Sequence, residues 1–174
     1  MIDRISKYLP EEATQLIGQA YIFADQCHSG QMRKSGDPYI DHPLETALFL
    51  ADLHLDTHTI VAALLHDVVE DCGVTLDEVE ERFGPETAKL VDGVTKLTRM
   101  DARLHVPNDS DLDRVDEQDS LYAESLRKML VSMAKDIRVV LIKLADRLHN
   151  MQTLDALLPE QRKRIAQETL DIYS

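Results

Sequence analysis

The chain has 174 residues, and 44% of them are hydrophobic, which suffices for one domain with a packed core. Its formal net charge of −13 argues against general binding to nucleic acid or to an anionic membrane, because an acidic surface repels phosphate groups. The two cysteines form neither a disulfide framework nor a CxxC metal pair, and no apolar stretch is long enough to span a membrane. We therefore expect a cytoplasmic protein.

Apolar residues recur at helical spacing along most of the chain and strand signals are negligible, so we predict an all-α fold. Pro43 and Pro85 suit the first turn of a helix, and Thr75 with Glu78 three residues later forms a capping box. The predicted helices cover about 13–24, 42–51, 57–71, 75–83, 85–97, 120–134, 136–154 and 159–173.

The stretch 101–119 is acidic and lacks apolar periodicity, and we predict a mobile loop there. A loop of this length inside a compact domain is unusual and is often functional, although a plain disordered insertion explains it equally well. The last predicted helix has no Gly or Pro stop signal, so we expect the sequence to be a piece of a longer protein.

The pair His66-Asp67 follows six consecutive apolar residues and should lie at the edge of the core. His66 and Glu70 are four residues apart, as are Asp67 and Asp71, so each pair shares a helix face. Three carboxylates near the negative end of a helix dipole are costly, and a divalent cation would offset that cost. The alternative interpretation is a solvated acidic helix end beside a core histidine.

Two other segments offer ligands of the same kind. His42 stands at a predicted helix start, and Asp146 lies on an otherwise apolar helix. The polar stripe that includes Asp146 is interpreted as a pocket wall, with an exposed helix face as the alternative, and consists of Lys143, Asp146, Asn150 and Thr153. A set of two His and two Asp without thiolate favours Mn²⁺ or a similar ion, with Zn²⁺ and Fe²⁺ left open.

Glu70 and Asp71 lie one turn beyond the His-Asp pair. They could orient or deprotonate an attacking water, protonate a leaving oxygen, or simply tune the ligands. Upstream of His42, Arg33 and Lys34 suit a base and a phosphate, unless they form an ordinary exposed basic turn.

Four blocks in a fixed order resemble the hydrolase domain of RelA/SpoT-type (RSH) proteins, bifunctional alarmone synthetase/hydrolases of the HD superfamily. The blocks are RKSG at 33–36, PYI with HP at 38–43, HDVVED at 66–71 and LADRLHNM at 144–151. The resemblance implies an HD-superfamily helical bundle with one Mn²⁺ at its centre. It implies metal ligands His42, His66, Asp67 and Asp146, the water-activating pair Glu70 and Asp71, and guanosine contacts from Arg33, Lys34, Ser35, Tyr39, Asn150 and Thr153.

The implied activity is removal of the 3′-pyrophosphate from ppGpp or pppGpp in stringent-response control. The implied partners are the synthetase and regulatory domains of the same full-length chain. We expect the 101–119 loop to take part in switching between the hydrolase and the synthetase. Two alternatives remain: an HD phosphohydrolase acting on another nucleotide, and a regulatory module that binds a nucleotide without turnover.

Overall fold

The computed structural model describes residues 1–104 and 136–173. Within these ranges the chain forms helices and no β-strand, apart from one isolated bridge between Met32 and Pro38, so the all-α prediction is confirmed. The helices are α1 (Ile2–Ile5), α2 (Glu11–Cys27), α3 (Asp41–Asp52), α4 (Thr57–Leu65), α5 (Val68–Asp71), α6 (Leu76–Phe83), α7 (Pro85–Leu104), α8 (Ile137–Gln152) and α9 (Pro159–Tyr173), with a 3₁₀ turn at Leu154–Ala156. None of the described helices is long and apolar enough to cross a membrane.

Helix α4 forms the centre of the core. Its residues Thr59–Leu65 are all buried, and it packs against α2, α3, α7 and, to a lesser extent, α8. The carboxylate of Asp56 caps its N-terminus by accepting a hydrogen bond from the N–H of Thr59. Burial of each large aliphatic side chain stabilises the fold by about 1.5–3 kcal/mol. The other helices are arranged around α4 and share this burial.

The prediction of an unbroken helix over 57–71 is wrong. Helix α4 ends at Leu65, and α5 begins only at Val68. The reason lies in the side chain of His66, whose Nδ1 is 2.7 Å from the carbonyl oxygen of Ala63. In an unbroken helix that oxygen accepts from the N–H of Asp67, so the imidazole competes with the backbone at this turn.

Helix α7 extends to Leu104, beyond the predicted end at 97. Residues 98–104 contain neither Gly nor Pro, and several of them are good helix formers, so the helix continues into the segment predicted as a loop. The prediction of a loop is therefore wrong for 101–104. The rest of that loop and the predicted helix 120–134 lie outside the described residues.

Helix α8 packs against α3 and α7 and brings the polar stripe of its C-terminal half to the start of α3. Its contact with α7 is close, because a Cβ atom at Gly93 would lie 2.7 Å from the side chain of Val139. The predicted N-cap at Thr75 is confirmed, since its side chain accepts a hydrogen bond from the N–H of Glu78, and Pro85 opens α7.

Candidate active site

Three of the predicted ligands converge at one buried point. His42 lies at the start of α3, His66 directly after α4, and Asp146 on α8. All three are buried, and each offers an atom within 4.8 Å of the others. Asp67 adjoins the cluster, with Oδ1 3.2 Å from Nε2 of His66 and Oδ2 3.8 Å from Nε2 of His42. The four predicted ligands are therefore brought together.

The position of the proton on His66 follows from its backbone contact. The carbonyl of Ala63 can only accept, so Nδ1 of His66 carries a hydrogen, and Nε2 is the ring nitrogen that remains to bind a metal. That Nε2 is buried and has no hydrogen-bond partner, yet it faces the Asp67 carboxylate 3.2 Å away. A cation placed between these two atoms would satisfy both of them. The donor set therefore fits a divalent cation.

His42 contacts a histidine that the sequence analysis did not single out. Its Nδ1 lies 2.7 Å from Nδ1 of His149, and its Nε2 lies 3.1 Å from Oδ1 of Asp146. Burial lowers the pKa of His42, so the ring is neutral near pH 7. Burial, with the nearby His42 and Arg33, lowers the pKa of His149 to about 4. Both imidazoles are therefore in the neutral form that binds metals.

Asp146 is held on both oxygens by its neighbours on α8. Lys143 donates to Oδ2 and Asn150 donates to Oδ1, each at 2.7 Å, and Thr98 on α7 accepts from the same ammonium group. Burial alone would raise the pKa of Asp146, but the Lys143 charge and the His42 contact outweigh it and hold that pKa well below its ordinary value. Asp146 therefore stays ionised, and of the predicted polar stripe Asn150 and Thr153 line a cavity while Lys143 and Asp146 do not.

The predicted acid-base pair lies beside the cluster on α5. Burial, with the nearby Asp67 charge, raises the pKa of Glu70, whose Oε1 is buried without a hydrogen-bond partner. The hydroxyl of Tyr39 is 2.8 Å from Oδ2 of Asp71 and 3.0 Å from Oδ2 of Asp67. Burial, reinforced by these two carboxylates, raises the pKa of Tyr39. The phenol thus stays protonated and contacts Asp71 of the acidic pair and Asp67 of the cluster.

Beside this cluster lies a cavity of about 360 Å³. Its lining includes the predicted guanosine contacts from the 31–40 loop and from the C-terminal end of α8, namely Arg33, Lys34, Ser35, Tyr39, Asn150 and Thr153. The 3₁₀ turn and α9 supply further lining from Ala156, Leu157, Gln161 and Ile165. Tyr39 and Asn150 contact the cluster as well as the cavity, so the two are joined. Lys143, the remaining residue predicted to bind substrate, does not line this cavity and instead donates to Asp146.

Sequence reasoning missed two buried histidines. His149 stands three residues after Asp146, and this helical spacing was the signal that could have assigned it to the same face. His28 stacks on the ring of Tyr39 with centroids 4.5 Å apart. Its position after α2 carries no pattern that points to Tyr39, because that contact depends on the fold of the 31–40 loop.

A model of a protein family described as HD domain matches residues 20–174. The chain belongs to the HD domain family. The family takes its name from the histidine-aspartate pair, which here is His66-Asp67 in the buried cluster. The HD domain match and the buried donor set together indicate a divalent metal site.

Individual relatives make the relationship more specific. The chain is 45% identical over its full length to GTP pyrophosphokinase rsh of Brucella suis biovar 1. It is 49% identical, over 98% of its length, to the bifunctional (p)ppGpp synthase/hydrolase SpoT of Escherichia coli K12 and to guanosine-3′,5′-bis(diphosphate) 3′-pyrophosphohydrolase of Escherichia coli O157:H7. In each case the chain spans 22% of the relative's length.

A solved structure also matches. It is described as a metazoan ortholog of SpoT that hydrolyses ppGpp and plays a role in starvation responses. The match has a TM-score of 0.66 and 27% identity, and covers 95% of this chain and 85% of that one. The resemblance to RelA/SpoT-type proteins is thereby confirmed.

Proposed function

We propose that this chain is a guanosine-3′,5′-bis(diphosphate) 3′-diphosphatase that uses a divalent cation to convert ppGpp or pppGpp to GDP or GTP plus pyrophosphate. One observation carries the proposal: a buried cluster of His and Asp side chains, in which His66 Nε2 lies 3.2 Å from Asp67 and has no hydrogen-bond partner, adjoins a cavity lined by Arg33 and Lys34. The names of the two Escherichia coli relatives support the choice of substrate.

His42, His66, Asp67 and Asp146 would hold the cation, and the mixed nitrogen and oxygen donors favour Mn²⁺. When bound, the cation supplies Lewis acidity, which makes water more acidic and withdraws charge from a phosphate oxygen. Lys143 adds a positive charge beside Asp146. Together these groups would offset the charge that develops on the pyrophosphate.

Glu70 and Asp71 are the proposed catalytic residues. In the reaction, the oxygen of water joins phosphorus, the bond between phosphorus and the ribose 3′ oxygen breaks, and that oxygen takes up a proton. A carboxylate whose pKa is raised, as at Glu70, is a better acceptor for the proton of water near neutral pH. Asp71, held by the Tyr39 hydroxyl, is placed beside it as the second proton-transfer group or as an orienting group.

The cavity would hold the guanosine part. The planar guanidinium of Arg33 suits stacking on a base, and the ammonium group of Lys34 suits a phosphate. Ser35, Tyr39, Asn150 and Thr153 would add polar contacts, and the link through Tyr39 and Asn150 would direct the 3′-pyrophosphate towards the acidic pair.

We further propose that residues 1–174 act as one HD-type domain of a larger cytoplasmic RSH protein in the stringent response, with synthetase and regulatory domains on the same chain. The greater length of the relatives supports this arrangement. The 101–119 segment would take part in switching between the hydrolase and the synthetase. Direct contact with nucleic acid or membrane is not proposed, because the net charge is −13. Deleting the segment without any change in activity or regulation would reject the switching role.

The test is pyrophosphate release from ppGpp by the purified chain with Mn²⁺. We expect turnover that EDTA abolishes, and a drop of about 10²–10⁴-fold in Asp71→Asn with Mn²⁺ binding retained, because only proton transfer is lost. Asp77→Asn, which removes an exposed carboxylate on α6, is the matched control and should keep full activity.

A panel of other nucleotides separates the alternatives. Preferred turnover of a deoxynucleotide or a cyclic dinucleotide would replace ppGpp as the substrate. Tight ppGpp binding without pyrophosphate release, in the presence of Mn²⁺, would instead identify a regulatory module.

A further inference from the structure

His28 is a buried histidine that the proposed function does not use. It directly follows α2, and only 3% of its surface is exposed. Its ring stacks on the ring of Tyr39, with centroids 4.5 Å apart and an angle of 23° between the planes. The hydroxyl of Tyr39 lies 2.8 Å from Oδ2 of Asp71. An imidazole therefore covers one face of the tyrosine that contacts a proposed catalytic residue.

The backbone after His28 holds Tyr39 as well. Gln31 donates its N–H to the carbonyl of His28 at 2.9 Å, and the carbonyl of Gln31 accepts from the N–H of Tyr39 at 3.0 Å. The side chain of Gln31 reaches back to the imidazole, with Oε1 2.9 Å from Nδ1 of His28. Tyr39 is thus tied to the end of α2 through its ring and through its backbone.

The same imidazole contacts the end of α5. Nδ1 of His28 lies 3.3 Å from Sγ of Cys72, the residue that directly follows Asp71. His28 therefore touches the residue that supplies the hydroxyl, Tyr39, and the neighbour of the residue that supplies the carboxylate. Reacting groups have to be held within about 0.5 Å of their productive geometry, and packed neighbours that do not touch the substrate provide that restraint.

We propose that His28 is a positioning residue that, by stacking on Tyr39 and contacting Cys72, sets the direction of the Tyr39 hydroxyl towards Asp71. The proposal rests on the function proposed above, in which Asp71 takes part in the reaction. His28 is not among the residues that line the nucleotide cavity, and none of its three contacts described above is with a proposed metal ligand. Its effect should therefore appear in turnover.

Two substitutions separate the flat ring of His28 from its bulk. His28→Leu keeps a side chain of similar size without a ring, and kcat on ppGpp at saturating Mn²⁺ should fall by about 10–100-fold, because a misplacement of about 1 Å can have an effect of that order. His28→Phe keeps a ring that can stack, and kcat should return to near the wild-type value. Phe23→Leu is the matched control, because it removes the ring contact between Phe23 on α2 and Phe83, and it should keep the wild-type kcat. A loss in His28→Phe as large as in His28→Leu would overturn the role of the stacked ring.

A double substitution tests whether His28 acts through Tyr39. Tyr39→Phe removes only the hydroxyl, so no hydroxyl is left for His28 to direct. In that background His28→Leu should cause little further loss of kcat, because the effects of residues in contact that act on one group are not additive. A loss of the same size in both backgrounds would show that His28 acts by another route and would overturn the proposal.

NMR tests the geometry without nucleotide or turnover. The ¹³C signal of the ring carbon that bears the Tyr39 hydroxyl, assigned with Tyr39→Phe, should move towards the value of a solvent-exposed tyrosine in His28→Leu and stay in place in His28→Phe. An unmoved signal in His28→Leu would overturn the proposal. In the wild type we expect nuclear Overhauser contacts between the two rings, and their absence would overturn the proposal even if His28→Leu does not fold.

These spectra also keep the two proposals separate. A chain that is inactive on ppGpp would overturn the proposed substrate, whereas the NMR signals of Tyr39 would still decide whether His28 directs its hydroxyl.

Discussion

The two ends of α8 each carry a buried or half-buried polar cluster, and the two clusters differ in how their charges are satisfied. At the N-terminal end, Arg138 donates to Asp136 at 2.7 and 2.9 Å and to Glu86 at 2.7 Å, and it reaches Asp56 at 3.4 Å. Asp56 also accepts from the hydroxyl of Thr59 at 2.6 Å. Each carboxylate of this first cluster therefore has a donor within the described chain.

The cluster at the C-terminal half is built differently. Nε2 of His66 and Oε1 of Glu70 are buried without a hydrogen-bond partner, and that Nε2 lies 3.2 Å from Oδ1 of Asp67. Unsatisfied buried polar groups are rare in folded proteins because each costs about 1–3 kcal/mol.

The two polar clusters on α8 therefore have different roles, one in stabilising the fold and one in function. The chain completes the Arg138 cluster by itself, so that cluster contributes to the stability of the fold. The Asp146 cluster keeps two buried atoms without a hydrogen-bond partner, on His66 and Glu70, so it costs stability until a cation binds. Perturbing one cluster while measuring the other should reveal this division.

The largest expected effect is loss of cation binding in His66→Ala. The substitution removes a ligand atom, so Mn²⁺ affinity should fall by more than the roughly 10–100-fold that is typical for residues that only support ligands. Pyrophosphate release should be lost with it. Mn²⁺ titration of His66→Ala and of Arg138→Leu compares their Mn²⁺ affinities. Arg138→Leu should keep its affinity, because it leaves the proposed metal ligands intact. Equal losses in both variants would contradict the division.

A smaller effect is expected on thermal stability. With Mn²⁺ at about 100 times its dissociation constant, the free energy of unfolding should rise by about 2.7 kcal/mol, because the cation binds only the folded chain. For a chain of this size the melting temperature should rise by about 5–10 °C. Arg138→Leu should be less stable by about 1–2 kcal/mol, and so melt at a lower temperature, yet show the same rise on adding Mn²⁺.

His66→Ala is the contrasting variant in the same measurement of melting temperature. Its melting temperature should not respond to Mn²⁺ or to EDTA. A full Mn²⁺ response in this variant would mean that the cation binds elsewhere on the chain.

The proposed metal ligands could be predicted from the sequence because residue type and spacing indicate metal binding. The pair His66-Asp67 follows a run of six apolar residues, and Asp146 interrupts an apolar helix, so each was expected at the edge of the core. The helix starts at Thr75 and Pro85 were predictable for a similar reason, since a cap or a missing N–H acts locally.

The features that sequence did not reveal depend on contacts between distant elements. The break after Leu65 arises because the His66 ring turns back to Ala63, a rotamer choice that no spacing encodes. The contacts of His149 with His42 and Arg33 require α8 to lie against α3 and the 31–40 loop, more than a hundred residues away in the chain. Periodicity predicted the helices, and tertiary packing determined which polar groups meet.

The smallest expected effect concerns the Arg138 cluster and its response to pH. Hydrogen bonds from Arg138 hold the pKa of Asp136 below its ordinary value. Because the folded pKa is the lower one, the stabilisation is complete above the unfolded pKa of about 3.9 and is lost as pH falls through the folded value. Asp136→Asn keeps an oxygen to cap α8 but removes the charge, so it should cost less than about 1 kcal/mol at pH 7.

Urea denaturation of the wild type and of Asp136→Asn, both in EDTA, measures this difference in the free energy of unfolding. The gap should narrow as the pH falls below the unfolded value of about 3.9, and it should close once the folded wild-type carboxyl is neutral as well. A gap that stays constant with pH would mean that the charge of Asp136 contributes nothing and that its cap oxygen acts alone. In that case the first cluster would also be stabilised by local hydrogen bonds rather than by charge, and the contrast with the Asp146 cluster would rest on unsatisfied acceptors only.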